Sequence, residues 1–234
     1  MAESKKDKSK PTPATPPPGP SSLAHADDRP RLVQWIDRNQ RLVTWGLTAV
    51  AVVVVGAWLL RETGRRKATA AAAALDFAQS TMQQGNLPGA ATEFQRIIRS
   101  YGGTDAAYQA ELGANEVRLA SGQTQIAVDE LRKFVATDPP RFYAAGAWSM
   151  MAGALEDLKK FDEAAGAYRR ASELAPEDFR KVDGLLGAAR AYRLAGQASQ
   201  SLEVYRQIIG SFSKETPGVA EAKVRLSEAT QGRM

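Results

Sequence analysis

The distribution of apolar side chains divides the chain into three parts. Residues 1–30 contain few apolar residues, and residues 42–60 form an uncharged apolar run. From residue 68 onward apolar residues recur at intervals of three and four, the spacing of one face of an α-helix. The pattern predicts a tail over 1–30, an apolar segment with basic flanks over 31–67, and an all-helical domain over 68–234.

The apolar run has the length of a membrane-spanning helix. Nineteen residues without a charge, LVTWGLTAVAVVVVGAWLL, lie between Arg41 and Arg61. Crossing the hydrocarbon of a bilayer takes about 20 apolar residues, and Trp45 and Trp58 stand toward the two interfaces. A cleaved signal peptide has a shorter apolar core of about 7–15 residues. We therefore expect a retained single transmembrane helix over 42–60 that contacts the lipid bilayer.

Charge is distributed unevenly around this run. The whole chain carries a net charge of +5, but residues 1–67 carry +6 and residues 68–234 carry −1. Nucleic-acid binding needs a basic surface, so the neutral domain predicts no nucleic-acid partner. Basic residues beside a span instead suit anionic lipid headgroups.

The orientation of the span follows from the same basic residues. Residues 22–41 and 61–80 each contain four Lys/Arg, so the charges nearest the span balance. Lysines at positions 5, 6, 8 and 10 favour a cytoplasmic tail with the domain on the outside.

The tail is rich in lysine and proline and poor in apolar residues, which favours an extended, unfolded segment. It could be a docking ligand for an SH3-like partner or a solvated leader, and the sequence leaves both open. The one histidine, His25, lies here without a metal-binding or catalytic partner in sequence.

The helical domain repeats itself every 37 residues. A small residue recurs at this interval, a bulky residue follows four positions later, and glycine or lysine stands five positions earlier. The small residues are Ala90, Ala127, Ala164 and Ser201; the bulky ones are Phe94, Leu131, Tyr168 and Tyr205; the turn positions are Gly85, Gly122, Lys159 and Gly196. This register predicts four helical hairpins, each with a turn that glycine favours and a close contact at the small residue.

The predicted helices cover almost all of the domain. They run over 68–84, 87–101, 105–120, 124–136, 141–157, 161–174, 179–194 and 198–212. A ninth helix is predicted from Pro217 to about Thr230, with Thr216 as its N-cap. It would cover the apolar face of the last hairpin.

The third repeat carries a family pattern. Trp148, Met151, Ala152 and Leu155 precede the segment KKFDEAAGAYRRASELAP, which ends at Pro176. The pattern resembles the tetratricopeptide repeat (TPR), whose standard period of 34 residues is three shorter than this one. The resemblance implies an all-α, TPR-like solenoid of about four hairpins plus a capping helix, behind a single N-terminal transmembrane helix.

The resemblance also implies where proteins or peptides would bind. In such repeats the first helix of each hairpin lines an inner groove, while the repeated aromatic residues belong to the core. The groove residues implied in this chain are Met82, Leu112, Glu116, Leu119, Ser149, Glu156, Leu186, Arg190 and Arg193, with Gln79, Gln83 and Asp157 beside them. The clamp of lysine and asparagine that binds chaperone tails has no counterpart, since Leu75 and Gln79 occupy those positions of the first repeat.

Catalysis has no candidate residues. Without cysteine, and without histidine in the domain, Ser-His and Cys-His pairs and Cys or His metal ligands are excluded. Adjacent carboxylates such as Asp129 and Glu130 point apart on a helix, and no glycine-rich phosphate loop is present. We expect no enzymatic activity, no cofactor and no metal.

The arrangement of tail, span and outer repeat domain resembles the ancillary subunit of the bacterial Sec translocon. The segment YGGTDAA at 101–107 also resembles periplasmic repeat proteins of envelope assembly, including the Tol–Pal coordinator. These resemblances imply a bacterial inner-membrane protein with a periplasmic repeat domain, and the Sec translocon or periplasmic chaperones as partners. Envelope assembly or cell-division coordination is the alternative, and a cytoplasmic enzyme or signalling subunit is the rival from another class.

Overall fold

The computed structural model describes Trp35 and residues 38–230, apart from the side chain of Val43. The predictions for residues 1–30 and for His25 lie outside these described residues. The chain divides into two compact units, Met1–Trp58 and Leu59–Met234.

Within residues 40–230 there are nine α-helices and no strand, which confirms the all-α prediction. The helices are α1 Gln40–Gln83, α2 Leu87–Tyr101, α3 Asp105–Ala120, α4 Thr124–Ala136, α5 Arg141–Asp157, α6 Phe161–Leu174, α7 Asp178–Leu194, α8 Ala198–Ser211 and α9 Val219–Ala229.

Helix α1 contains the apolar run. Among the described helices it alone is long and apolar enough to cross a membrane, with a mean hydropathy of 2.1 over 18 residues, none of them buried. The Thr44 and Thr48 hydroxyls donate to the carbonyls of Gln40 and Thr44, at 2.7 and 2.8 Å. These two hydroxyls therefore have their hydrogen-bond acceptors within the helix.

Helix α1 also includes the segment predicted as the first helix of the repeats, over 68–84. No break occurs at Gly64, and Arg66 pairs with Glu62 across it at 2.8 Å. The first hairpin therefore consists of the C-terminal part of α1, residues 68–83, and α2. Below, hairpin 1 denotes residues 68–101, hairpin 2 residues 105–136, hairpin 3 residues 141–174 and hairpin 4 residues 178–211.

The four predicted turn positions all adopt the left-handed conformation. The φ angles of Gly85, Gly122 and Gly196 are 80°, 75° and 80°, and that of Lys159 is 60°. The same backbone geometry therefore reverses the chain between the two helices of each hairpin. Three of the four repeats have glycine there, which adopts this conformation without steric cost, and the third repeat has lysine.

The 37-residue register coincides with the core. All four small residues are buried, at 3% exposure or less, and all four bulky residues are buried at 9% or less. The prediction that Phe94, Tyr168 and Tyr205 belong to the core is confirmed, whereas Trp148 is only half-buried and packs against its edge. The repeat therefore marks the positions where the two helices of a hairpin approach each other.

A second spacing joins consecutive hairpins. The Phe94 ring of hairpin 1 lies over Gly113, where an added Cβ would come 2.6 Å from Cζ. The Tyr168 ring of hairpin 3 lies in the same way over Gly187, at 2.7 Å from Cδ1. In both cases the glycine stands 19 residues after the aromatic residue. Because glycine has no side chain, it leaves room in the following hairpin for the large ring.

The start of the last helix differs from the prediction. Helix α9 begins at Val219 rather than Pro217, and Gly218 precedes it at a φ of 89°. The Thr216 carbonyl accepts the Val219 N–H, while its side chain caps nothing. A Cβ at Gly218 would come 2.7 Å from Val182, so the chain needs this glycine to approach α7 before the helix can begin. As predicted, α9 covers hairpin 4, with Val219, Ala222 and Leu226 buried.

Candidate protein-interaction groove

Four of the predicted groove residues are apolar side chains, called the apolar floor below. Met82, Leu112, Leu119 and Leu186 lie on the first helices of hairpins 1, 2 and 4 and are half-buried. Each packs against the buried core of its own part of the solenoid and leaves the rest of its surface exposed. The inner groove, meaning the surface made by these first helices, therefore offers partly exposed apolar side chains in hairpins 1, 2 and 4.

Two predicted groove residues are brought together as an ion pair. Arg190 on α7 donates through Nε to Glu156 Oε1 at 3.2 Å and through Nη2 to Glu156 Oε2 at 3.0 Å. The Tyr168 hydroxyl on α6 donates to Glu156 Oε2 at 3.3 Å and accepts from Arg190 Nη2 at 3.0 Å. The guanidinium also lies 5.5 Å above the Tyr168 ring. One side chain from each of three helices thus forms a closed network.

The electrostatics of this network follow from its partial burial. Burial and the Glu156 carboxylate raise the pKa of the Tyr168 hydroxyl, so it stays protonated and can donate. The hydrogen bond to Glu156 raises the pKa of Arg190. Because the two charges neutralise each other, this part of the groove presents a fixed polar surface rather than a free charge.

The remaining polar groove residues are exposed. Ser149, Glu116 and Arg193 face solvent, and within residues 38–230 no side-chain hydrogen bond or ion pair engages Glu116 or Arg193. A free carboxylate in hairpin 2 and a free guanidinium in hairpin 4 therefore flank the neutral network. A partner segment could pair with both charges while covering the apolar floor.

Sequence reasoning missed an aromatic edge beside the groove. Phe142 and Phe179 begin α5 and α7, 51% and 48% exposed, and are themselves 37 residues apart. The Arg180 guanidinium lies between them, 5.6 Å from one ring centroid and 5.4 Å from the other. The 37-residue interval could have predicted this pair, because it places a phenylalanine at the same position of two successive hairpins.

Two clefts open on either side of Arg180. A small cleft of about 70 Å³ lies between α5 and α7 and includes Ser149 and Phe142. A larger cleft of about 420 Å³ lies between α7 and α9 and includes Phe179, Asp183 and Leu186. Aromatic residues and arginine are enriched where proteins bind one another, so this edge extends the candidate groove toward the C-terminal cap.

No arrangement suited to metal binding was found in the described part of the chain. Among residues 38–230 no group of three His, Asp or Glu side chains could hold an ion.

Comparisons with known proteins agree with the repeat architecture. A model of the tetratricopeptide repeat-like domain matches residues 33–182, and one of the tetratricopeptide repeat matches residues 183–214. Among solved structures the chain is similar to the MamA protein, with a TM-score of 0.53 and 19% identity over 70% of this chain and 82% of that chain. It is also similar to nearly identical TPR-like repeats from Podospora anserina, described as those of a kinesin light chain, with a TM-score of 0.53 and 17% identity over 68% of this chain and 85% of that one.

No curated protein matches the chain. The structural likenesses, at 17% and 19% identity, show the fold alone. The predicted TPR-like solenoid is confirmed, and this fold is typically a non-catalytic scaffold for contacts between proteins.

Proposed function

Because this chain belongs to the tetratricopeptide repeat-like domain family, we propose that it is a membrane-anchored scaffold that holds other proteins at the bacterial inner membrane. In this proposal residues 1–30 are a cytoplasmic tail, 31–67 contain the anchor, and 68–234 are a periplasmic repeat domain. The observation that carries it is the inner groove, where an apolar floor is flanked by a free carboxylate and a free guanidinium.

The anchor is supported by composition and by the extent of the family match. The apolar part of α1 has a mean hydropathy of 2.1 and is not buried by other parts of the structure. The matched region begins at residue 33, nine residues before Leu42. The apolar run therefore lies inside the region that resembles the family and is not an unrelated extension.

The partner class follows from the surface of the groove. An extended or helical segment could cover Leu112 and Leu119 with apolar side chains and place a basic residue at Glu116 and an acidic one at Arg193. We propose the Sec translocon or periplasmic chaperones as the first candidates, since the order of tail, span and domain resembles the ancillary translocon subunit. Envelope assembly is the second candidate, on the resemblance of residues 101–107.

The side of the membrane can be tested with a reporter. Alkaline phosphatase is active only outside the cytoplasm, so a fusion after Met234 should be active. An inactive fusion at this position would contradict the periplasmic domain and favour the rival cytoplasmic subunit.

The partner can be tested by crosslinking from defined positions in intact membranes. A photoreactive residue at Glu116 or Arg193 should form adducts with translocon components or periplasmic chaperones. The same residue at Gln207, exposed on the second helix of hairpin 4, is the matched control and should not. Adducts with envelope-assembly proteins would select the second candidate, and equal adducts from all three positions would reject a specific groove.

A further inference from the structure

A third cleft lies outside the inner groove, at the joint between hairpins 1 and 2. This outer cleft of about 300 Å³ is bounded by α2, α3 and α4. Ile98, Tyr108 and Phe134 give it an apolar wall, and Glu111 and Glu130 add two carboxylates. Its volume is at the lower end of the range for ligand pockets, which suits one or two side chains rather than a whole helix.

Fewer polar side-chain contacts cross the joint between hairpins 1 and 2, where this cleft lies, than cross the other two joints. Hairpins 2 and 3 are linked by Arg132 to Glu163 at 3.3 Å and by Lys160 to Gln125 at 3.0 Å. Hairpins 3 and 4 share the network of Arg190. Within residues 68–136, by contrast, no side-chain hydrogen bond crosses from hairpin 1 to hairpin 2. The polar groups of the outer cleft are thus not used to hold the joint together.

Glu111 is the charged group in this cleft that lacks a side-chain partner among the described residues. Its side chain is half-buried, and no side chain in the described part of the chain donates to it. Burial raises the pKa of its carboxyl, the nearby Glu130 adds to this, and Arg118 acts in the opposite direction. Glu130 itself is held at the mouth by Lys133, at 2.7 Å. One carboxylate therefore remains, partly desolvated and beside an apolar wall, without a cation to pair with it.

We propose that the outer cleft is a second docking site, which binds an arginine side chain next to an apolar residue of an extended partner segment. A planar guanidinium can pair with Glu111 through two hydrogen bonds, and its aliphatic stem can lie against Tyr108 and Phe134. The neighbouring apolar residue contacts Ile98. An acidic side chain beside Glu111 is repelled by its carboxylate, so the site selects basic, partly apolar partners independently of the inner groove.

Crosslinking of a defined peptide to the full chain in detergent micelles tests this site. The probe is a decapeptide with one central Arg-Leu pair in an otherwise Gly/Ser sequence and a benzophenone two residues away. Its control replaces arginine by citrulline, which keeps the shape and removes the charge. Mass spectrometry should place adducts on α2, α3 or α4 around the cleft, and the citrulline peptide should give at least fivefold less.

Two carboxylate variants locate the contact. E111Q should lower the yield of adducts at the outer cleft at least fivefold, whereas E203Q, at an exposed carboxylate on α8, should leave it unchanged. E111Q should unfold at the same or a higher temperature, because it removes a charge that burial disfavours. Equal yields from the arginine and citrulline peptides, adducts confined to the inner groove, or an unchanged yield with E111Q would each overturn the proposal. Failure of the outer site in these tests would leave the proposed inner groove standing, because Glu116 and Arg193 are tested separately by crosslinking in membranes.

Discussion

Lys159 shows at the scale of one residue how the repeat tolerates a departure from its pattern. It stands where the other three hairpins have glycine, and it keeps the left-handed backbone at a φ of 60°. For a residue with a Cβ this conformation costs about 1 kcal/mol. The surrounding hairpin, with Ala164 and Tyr168 buried between its helices, imposes the turn despite this cost.

Exchanging residues at two equivalent turns tests this account. K159G should raise the free energy of unfolding by up to about 1 kcal/mol, since glycine adopts the turn without strain. G122A should lower it by about 1 kcal/mol, because it introduces the same strain in hairpin 2. Urea unfolding followed by circular dichroism measures both, and a stabilising G122A would contradict the argument.

The close approach of Tyr168 to Gly187 makes a second prediction at a single residue. G187A places a Cβ within about 3 Å of the ring, so either the ring or α7 must shift, and we expect a loss of about 1–3 kcal/mol. G166A is the control, because this helical glycine on α6 has no neighbour near its Cβ position. It should stabilise the protein by about 0.5–1 kcal/mol through helix propensity. Thermal unfolding of the two variants should therefore shift in opposite directions.

At the scale of the helices, the network of Glu156, Arg190 and Tyr168 fixes how hairpin 4 follows hairpin 3. It takes one side chain from each of α5, α6 and α7, and a second bond, from the Ser172 hydroxyl to the Lys181 carbonyl at 2.7 Å, joins α6 to α7. Since the Glu156 side chain is only 17% exposed, its charge depends on Arg190 for compensation.

Removal of Arg190 should therefore cost more than removal of the neighbouring groove arginine. R190M leaves Glu156 without its cation, and we expect about 1 kcal/mol of destabilisation, since the Arg190 side chain is half exposed and solvent screens the pair. R193M, on the same helix, should change the stability by less than about 0.5 kcal/mol. The double variant E156Q/R190M should recover part of the loss, and a double-mutant cycle in urea measures this coupling. Additive effects of the two substitutions would show that the pair contributes nothing.

The sequence predicted helices and turns well because both depend on local patterns. The interval of 37 residues located Gly85, Gly122 and Gly196 and the buried residues of each hairpin. It could not show that Glu156 and Arg190 neutralise each other, because that depends on the angle between two hairpins. The start of α9 was also wrong, since Thr216 and Pro217 are a good local signal that the contact of Gly218 with Val182 overrides.

At the scale of the repeat domain, each hairpin is stabilised mainly by packing against the neighbouring hairpins. The buried residues fall into three clusters, centred on hairpin 1 with α3, on hairpins 2 and 3, and on hairpin 4 with α9. Because each hairpin contacts mainly its neighbours, a defect should loosen one end without unfolding the other. The C-terminal end depends on α9, which has no hairpin beyond it among the described residues.

The cap provides the sharpest test of this local behaviour. Leu226 is 7% exposed and packs with Val204 and Ile208, so L226A should cost about 2–3 kcal/mol through lost burial and the cavity that remains. In hydrogen exchange, amides of α7, α8 and α9 should lose protection, while those of α2 and α3 should keep theirs. V224A lies on the same helix at 55% exposure and should leave all of these rates unchanged. Loss of protection throughout the domain in L226A would mean that the solenoid unfolds as one cooperative unit, and the three clusters would then not be separate elements of its stability.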